Sequence, residues 1–471
     1  MPRSEATRRW AFALVSVSGV MLTLDVTVIN VALPAIGAQL RAGPDVLPWT
    51  VSAYSLAFGT LLLTAGTWSD AVGHRTVFTA GMSVFTVASL GCATAPTIGV
   101  LIGARAVQGA GGALAFAPAI ALLATTHNGR SRSSAMAAFA ALSSLAGALG
   151  PVVGGGVVAA LDWQWIFLLN VPVGTFVVLA TVITLPPGVR HSGPRRTDVS
   201  GTVLGVAALL ALHAALTTGS SLGWTSLPAL ASGGLLCVLL PAFARTQRRP
   251  DAMLDIGAGD RAAFAGAAAL MFTGRMASLG TLVYLTLWLQ ETAATSPLHT
   301  GILLLPLTGS LAVAGTTVPA AQARLGPSRV VAAGFALQGS GLSTMAIAAS
   351  AGSLPLSCAG MALLGAGTAL IFPPLLTVTV TVVPPERTGM ASGLTNACSP
   401  LGTATGVAAF GALFTALNGN GAGPALTGVC LAATVICLAG AVLAHRLLPA
   451  ELPGEHASDQ PDDLRRSSQI R

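Results

Sequence analysis

Apolar runs long enough to cross a bilayer follow one another along almost the whole of this chain, and that property leaves few folds open. A spanning helix needs about 20 apolar residues. Runs that qualify lie near 11–33, 48–67, 76–95, 98–123, 134–160, 165–186, 199–217, 227–245, 262–290, 299–322, 330–350, 355–380, 389–417 and 424–446. Charged residues make up 8% of the 471 and hydrophobic residues 53%. Soluble proteins carry about 25% charged residues. In lipid every backbone N–H and C=O needs a partner within the structure, which excludes an open sheet, and the alternating ten-residue segments of a barrel are absent. The expectation is an all-α membrane protein of fourteen spans.

Arginine placement orients it. All 23 basic residues are Arg. With both termini cytoplasmic, all but Arg41, Arg105 and Arg275 fall in cytoplasmic segments. The net charge of +7 is thus a topology signal rather than a nucleic-acid footprint. The six cysteines sit in apolar spans without metal-ligand spacing and read as small buried hydrophobes. No cofactor is implied. The first apolar stretch is longer than a signal-peptide core, lacks a small-residue cleavage site, and is expected to remain a helix.

The chain repeats itself. Gly109-Ala-Gly-Gly-Ala-Leu-Ala-Phe-Ala-Pro118 answers Gly365-Ala-Gly-Thr-Ala-Leu-Ile-Phe-Pro-Pro374, with seven of ten positions identical. The register continues through the next run, where Ser143, Leu145 and Gly150 meet Ser399, Leu401 and Gly406. Two related halves joined in one membrane chain are the mark of a secondary transporter. The predicted organisation is a cytoplasmic N-terminus (1–10), a six-helix half (11–190), two additional helices with their linkers (191–260), a second six-helix half (261–447) and a polar tail (448–471).

Four local patterns carry a family resemblance. Leu24-Asp-Val-Thr-Val-Ile-Asn-Val-Ala-Leu-Pro34 resembles the first-helix signature of fourteen-span drug:proton antiporters. Gly66-Thr-Trp-Ser-Asp-Ala-Val-Gly-His-Arg75 resembles the general loop motif of the major facilitator superfamily. Ala104-Arg-Ala-Val-Gln-Gly-Ala-Gly111 is similar to the fourth-helix motif tied to proton coupling, and Gly147-Ala-Leu-Gly-Pro-Val-Val-Gly-Gly155 to the fifth-helix antiporter motif. Trp163 to Pro172 is similar to the segment that follows it in these exporters. The loop motif departs from the family pattern at Ala71 and His74, and its second-half counterpart, Ala323 to Arg329, lacks the aspartate. The resemblance implies a major facilitator fold of two six-helix halves plus two central helices. It also implies a gating loop at Gly66, Asp70, Gly73 and Arg75, and an antiporter helix carrying Gly147, Gly150, Pro151, Gly154 and Gly155.

The residues point the same way on physical grounds. Asp25 is the only carboxylate deep in a span, where burial favours an acid that takes up and releases protons. Its alternative role is a permanent structural pair. Arg105 and Gln108 lie three apart on one helical face, and the guanidinium needs Asp25, a helix carbonyl end or substrate as its partner. On the first helix Asp25 shares a stripe with Ser18, Leu22 and Ile29, whereas Thr23, Thr27, Asn30 and Pro34 form another. Either stripe is free to face a cavity. Thr27, Asn30, Tyr54 and Arg275 are candidate cavity residues, Arg275 either meeting substrate or pairing internally.

A proton-coupled exporter of small, largely apolar drugs is the expected function, with the bilayer, protons and substrate as partners and a monomer as the working unit. An importer or a non-transporting sensor of the same fold is the alternative. No nucleophile or metal cluster supports an enzyme. One acid and two arginines within the spans favour neutral or anionic substrates over dications. All-Arg basic usage with heavy Ala and Gly suggests a GC-rich bacterium and its cell membrane.

Overall fold

The computed structural model describes residues 5–43, 46–127, 129–186, 199–247, 260–291, 295–384 and 388–450. Every element among them is helical. The first half holds α1 (Glu5–Leu40), α2 (Trp49–Val72), α3 (His74–Ala93), α4 (Ile98–Thr126), α5 (Gly129–Ala160), the short α6 (Trp165–Leu168) and α7 (Asn170–Thr184). Then come α8 (Val199–Leu222) and α9 (Leu227–Thr246). The second half holds α10 (Arg261–Glu291), α11 (Pro297–Leu303), α12 (Leu305–Ala351), α13 (Leu354–Thr381), α14 (Thr388–Leu417) and α15 (Ala422–Leu447). Eleven of these stretches are long and apolar enough to cross a bilayer, one of them the continuous Pro297–Ala351. The linker 187–198, most of 246–260 and the tail from 451 lie outside the described residues.

Breaks fall where backbone chemistry requires them. Gly73 (φ 107°, ψ 132°) separates α2 from α3, and Gly326 (φ 75°, ψ 162°) kinks α12 between its two arms. Both conformations are open to glycine and strained for any other residue. The run 165–186 breaks at Leu169, and the run expected at 299–322 begins as α11 and continues through α12. Thr97 caps α4 by accepting from the Val100 N–H at 3.4 Å, and Ser296 caps α11 by accepting from His299 at 3.2 Å.

The internal repeat is visible as matched close packing. A Cβ on Gly109 would run into the Tyr54 carbonyl of α2, and one on Gly365 into the Leu307 carbonyl of α12. Gly111 lies against Gly81 of α3, and Gly367 against Gly334 in the second arm of α12. Small residues at these positions let backbones approach where lipid supplies no hydrophobic drive. Identical words in the sequence therefore sit at equivalent helix crossings.

The two halves meet mainly at one end. One large apolar core joins Val31, Leu33 and Ile36 of α1, Val51 of α2 and Trp163 to residues of α10, α12, α13 and α15. Gln290 of α10 donates to the Val31 carbonyl of α1 at 2.9 Å. Towards the other end each half keeps a core of its own, around Phe78, Phe85 and Leu122 in the first and Phe264 and Leu394 in the second. A small cluster of Leu62, Ala113 and Ala397 bridges the halves between these regions. α8 lies on α2 and α14, one helix from each half, and α9 packs on α8. His213 of α8 is buried against Trp49 of α2, with ring centroids 3.8 Å apart.

Candidate functional site

α2, α3, α4 and α7 converge on the middle of α1 and enclose Asp25, whose side chain is 1% exposed. Close packing of α4 on α2 at Gly109 brings Arg105, one turn earlier, into the same space. Arg105 is fully buried. Its Nη1 donates to Asp25 Oδ2 at 2.5 Å and to Gln108 Oε1 at 2.6 Å, and its Nε donates to the Thr50 carbonyl at 3.0 Å. The guanidinium lies 4.3 Å from the centre of the Tyr54 ring and 5.6 Å from that of Phe167. Gln108 Nε2 donates to Asp25 Oδ1 and to Ser89 Oγ, both at 2.8 Å. Asn170 Nδ2 donates to Asp25 Oδ1 at 3.0 Å, and Cys92 Sγ approaches Gln108 Oε1 at 3.6 Å.

The carboxylate thus accepts three donors, one of them charged, from α4 and α7. Such a pair is stable in a low-dielectric interior only while both charges are present and their remaining groups are bonded. Protonation of Asp25 would remove the counter-charge of Arg105 and leave a lone buried cation. Loss or gain of one proton therefore changes what the surrounding helices must do electrostatically. The arrangement is a closed charge cluster shared by five helices.

The two stripes of α1 divide between neighbours. Asp25 faces α4 and α7, whereas Thr23 and Thr27 face α5: Gly147 sits 3.3 Å from Thr23 Cγ2 by its would-be Cβ, Gly150 meets Thr27, and Gly154 meets Val28. The adjoining face of α5 meets the other half. Gly155 lies against Pro297 and Leu298, and Gly301 of α11 lies against Pro151 and Val152. The glycine-rich helix is thus pressed between the acid-bearing helix and the second half.

Between α2 and α3, Arg75 Nη2 donates to the Val182 carbonyl in the last turn of α7 at 2.7 Å. His74 Nδ1 contacts Ser69 Oγ at 3.1 Å, and Ser69 Oγ donates to the Gly66 carbonyl at 2.8 Å. Asp70 closes this loop from α2, but its side chain lies outside those the structure describes.

The four cavity candidates stand in different surroundings. Tyr54 is 2% exposed beneath Arg105. Thr27 turns its hydroxyl to the carbonyls of Thr23 and Leu24, and Asn30 bonds the carbonyls of Val26 and Thr27. Arg275 stands in the second half, partly exposed, 3.8 Å over the ring of Phe372. The equivalent crossing, Gly406 on Met276 as Gly150 on Thr27, places Gly274 where the first half has Asp25. Around it the bonding is neutral: Gln338 Nε2 reaches Thr368 Oγ1 at 3.1 Å and the Gly274 carbonyl at 3.5 Å, and Cys437 Sγ reaches Gln338 Oε1 at 3.4 Å. The two halves share a scaffold and differ in charge.

Sequence reasoning singled out Asp25, Arg105 and Gln108 but not Asn170, Ser89 or the Thr50 carbonyl. Asn170 had a readable signal, a lone amide opening an apolar helix. The carbonyl had none. Among the described residues no group of three or more His, Cys, Asp or Glu is placed to hold a metal.

A family model described as Major Facilitator Superfamily matches residues 15–322 and 264–469. The chain is 34% identical over 433 residues to the methylenomycin A resistance protein of Streptomyces coelicolor, covering 91% of this chain and 90% of that one. It is 33% identical over 400 residues to the multidrug resistance protein Stp of Mycobacterium tuberculosis, covering 84% and 74% respectively. Among solved structures, a D-xylose–proton symporter superposes with a TM-score of 0.69 at 12% identity, covering 94% of this chain and 98% of the other. That likeness concerns the fold.

Proposed function

Given that the chain belongs to the Major Facilitator Superfamily, we propose that it exports small, largely apolar drugs or antibiotics across the bacterial cell membrane in exchange for protons. Relatives named for multidrug, methylenomycin A and tetracenomycin C resistance support export. The observation that carries proton coupling is Asp25, the single buried carboxylate among the described residues, locked to Arg105, Gln108 and Asn170.

In this reading the protein has fourteen spans with both termini inside and works as a monomer. α8 and α9 are the two added spans. α11 with the first arm of α12 forms one span, and the second arm of α12 the next. The arginine-rich end is cytoplasmic, so the core joining the halves closes the outer side. The conformer described above then faces inwards. A proton reaching Asp25 from the outside, in the outward-facing arrangement, leaves Arg105 without its counter-charge and biases the halves towards the inward-facing arrangement, where release to the cytoplasm re-forms the pair. Each charge carried inward through the membrane potential supplies ~2.3 kcal/mol per 100 mV, which drives extrusion without a nucleotide. The loop with Gly66, Asp70, Gly73 and Arg75 ties α2 and α3 to α7 and serves as the cytoplasmic latch. The glycines of α5 provide the surface on which the halves rock.

The test is a growth-inhibition panel in an efflux-deficient bacterial host, comparing the intact protein with Asp25→Asn at matched expression. Protection against at least one compound, lost in the variant, is the expected outcome. Protection that survives the substitution moves coupling away from Asp25. An absence of protection against every compound removes the exporter reading.

A further inference from the structure

The first half neutralises its buried arginine completely; the second half leaves one arginine without a counter-charge. Between residues 261 and 450 the sequence holds only Glu291, which ends α10, and Glu386, in the connection after α13. Neither falls within the apolar runs at 262–290, 355–380 and 389–417. Asp25, the one carboxylate at comparable depth, already accepts Arg105, Gln108 and Asn170. Gln338, a large polar side chain that reaches the neighbouring Gly274 carbonyl, is committed to that carbonyl, Thr368 and Cys437. Arg275 Nε is buried with no hydrogen-bond partner among the described residues. Yet the side chain as a whole stays partly exposed, unlike Arg105.

An unpaired guanidinium in a membrane helix is costly, and such groups mark substrate paths. Here its plane is held by Phe372, at 3.8 Å. Phe335, Ile371 and Phe372 surround the neighbouring Gly274: a Cβ there would lie in ordinary contact, 3.4–3.5 Å, with all three. A planar cation stacked on one ring, next to a second ring and an isoleucine, combines a fork of donors with an apolar slot. That fork matches a carboxylate in a two-bond contact, and the stacked plane requires little ordering on binding.

We propose that Arg275 is the substrate-anchoring residue, and that the preferred cargo is a flat apolar or aromatic compound bearing a carboxylate or an equally acidic group. The inference rests on the transporter reading for the cargo's fate but not for its binding. Gln at 275 removes the charge while keeping length, and Lys keeps the charge but loses the planar fork and the stack.

The measurement is equilibrium binding of 9-anthracenecarboxylate, its methyl ester and ethidium to purified protein in lipid nanodiscs, read by probe fluorescence. The carboxylate should bind roughly tenfold or more tightly than the ester, the range of a charge-assisted pair. Arg275→Gln should bring the two to equal affinity, with the ester unaffected and thereby reporting an intact slot. Arg275→Lys should fall between, and it serves as the readout if the glutamine variant does not fold. Absent carboxylate binding, equal acid and ester affinities in the parent protein, tighter binding of ethidium, or a preference that survives Arg275→Gln would each overturn the proposal. Acid-selective binding without drug protection in cells would sink the exporter reading and leave the anion site. Protection in cells without acid selectivity would do the reverse.

Discussion

Replacing Gly155 with alanine probes whether the contact of α5 with α11 must open during transport. A Cβ at 155 would lie 2.9 Å from Leu298 Cα and from the Pro297 carbonyl carbon, where ordinary contact is 3.4–4 Å. The Pro297 carbonyl oxygen would lie closer still; all three obstacles are backbone, so no side-chain rotation relieves them, and the helices must part by about an ångström. Overpacking of this kind costs ~1–3 kcal/mol. If the halves rock, the penalty falls only on the conformer in which 151–155 touches 297–301, shifting the population towards the opposite arrangement by ~5- to 150-fold.

Gly301→Ala strikes the same contact from the other side, with Pro151 C at 2.9 Å and Val152 Cα at 3.0 Å. A single separation relieves both clashes, so the double variant should cost less than the sum of the singles. The assay is the distance between spin labels at Leu161 and Ile302, exposed positions flanking the contact on opposite halves, in a cysteine-free background reconstituted in nanodiscs. Longer distances in each variant, with slowed drug transport, are expected. Unchanged distances together with parental transport, or strictly additive costs, would refute the reasoning.

Other outcomes follow from the charge cluster and the breaks. Asp25→Asn strands Arg105 as a buried cation, a loss of ~3–5 kcal/mol; a detergent-solubilised sample should melt at lower temperature, and an unchanged melt would mean that the pair contributes nothing. Arg105→Lys cannot hold Asp25, Gln108 and the Thr50 carbonyl together, so drug protection should fall nearly as far as in Asp25→Asn. Asn170→Ala deletes one neutral donor to a charged acceptor, ~1.5–3 kcal/mol, and should weaken transport without abolishing it, as measured by initial efflux rates. Gly73→Ala forces a side chain into a glycine-only conformation at ~1–3 kcal/mol; thermal unfolding should show a comparable loss for Gly326→Ala, and a stable Gly73→Ala variant would contradict the described turn.

Much of the architecture was legible beforehand because lipid removes alternatives. Apolar runs had to become helices, and the ten-residue repeat predicted equivalent crossings, which reappear as Gly109 on Tyr54 and Gly365 on Leu307. The site was legible in part. Asp25, Arg105 and Gln108 stood out because each is an expensive residue in an apolar run, and the structure brings them within hydrogen-bonding distance. Which stripe of α1 met which neighbour was not legible: a helix displays both stripes equally until α4 and α5 are placed against it. Tyr54 is an example: that its ring would lie beneath Arg105 follows from the placement of α4 on α2, not from its own stretch of sequence.

By itself the sequence determined that this chain is a helical membrane protein of two related halves, because charge-free length and internal identity are properties of the string. It also determined that a lone acid and two arginines would be its costly interior groups. Tertiary structure alone decided their fates. Arg105 meets Asp25 across 80 positions and is neutralised, whereas Arg275, in an equally apolar helix, finds a ring and no acid. The physical reason is that a charge's cost is set by what surrounds it in space, and neighbours in space come from helix crossings that no local stretch of sequence encodes.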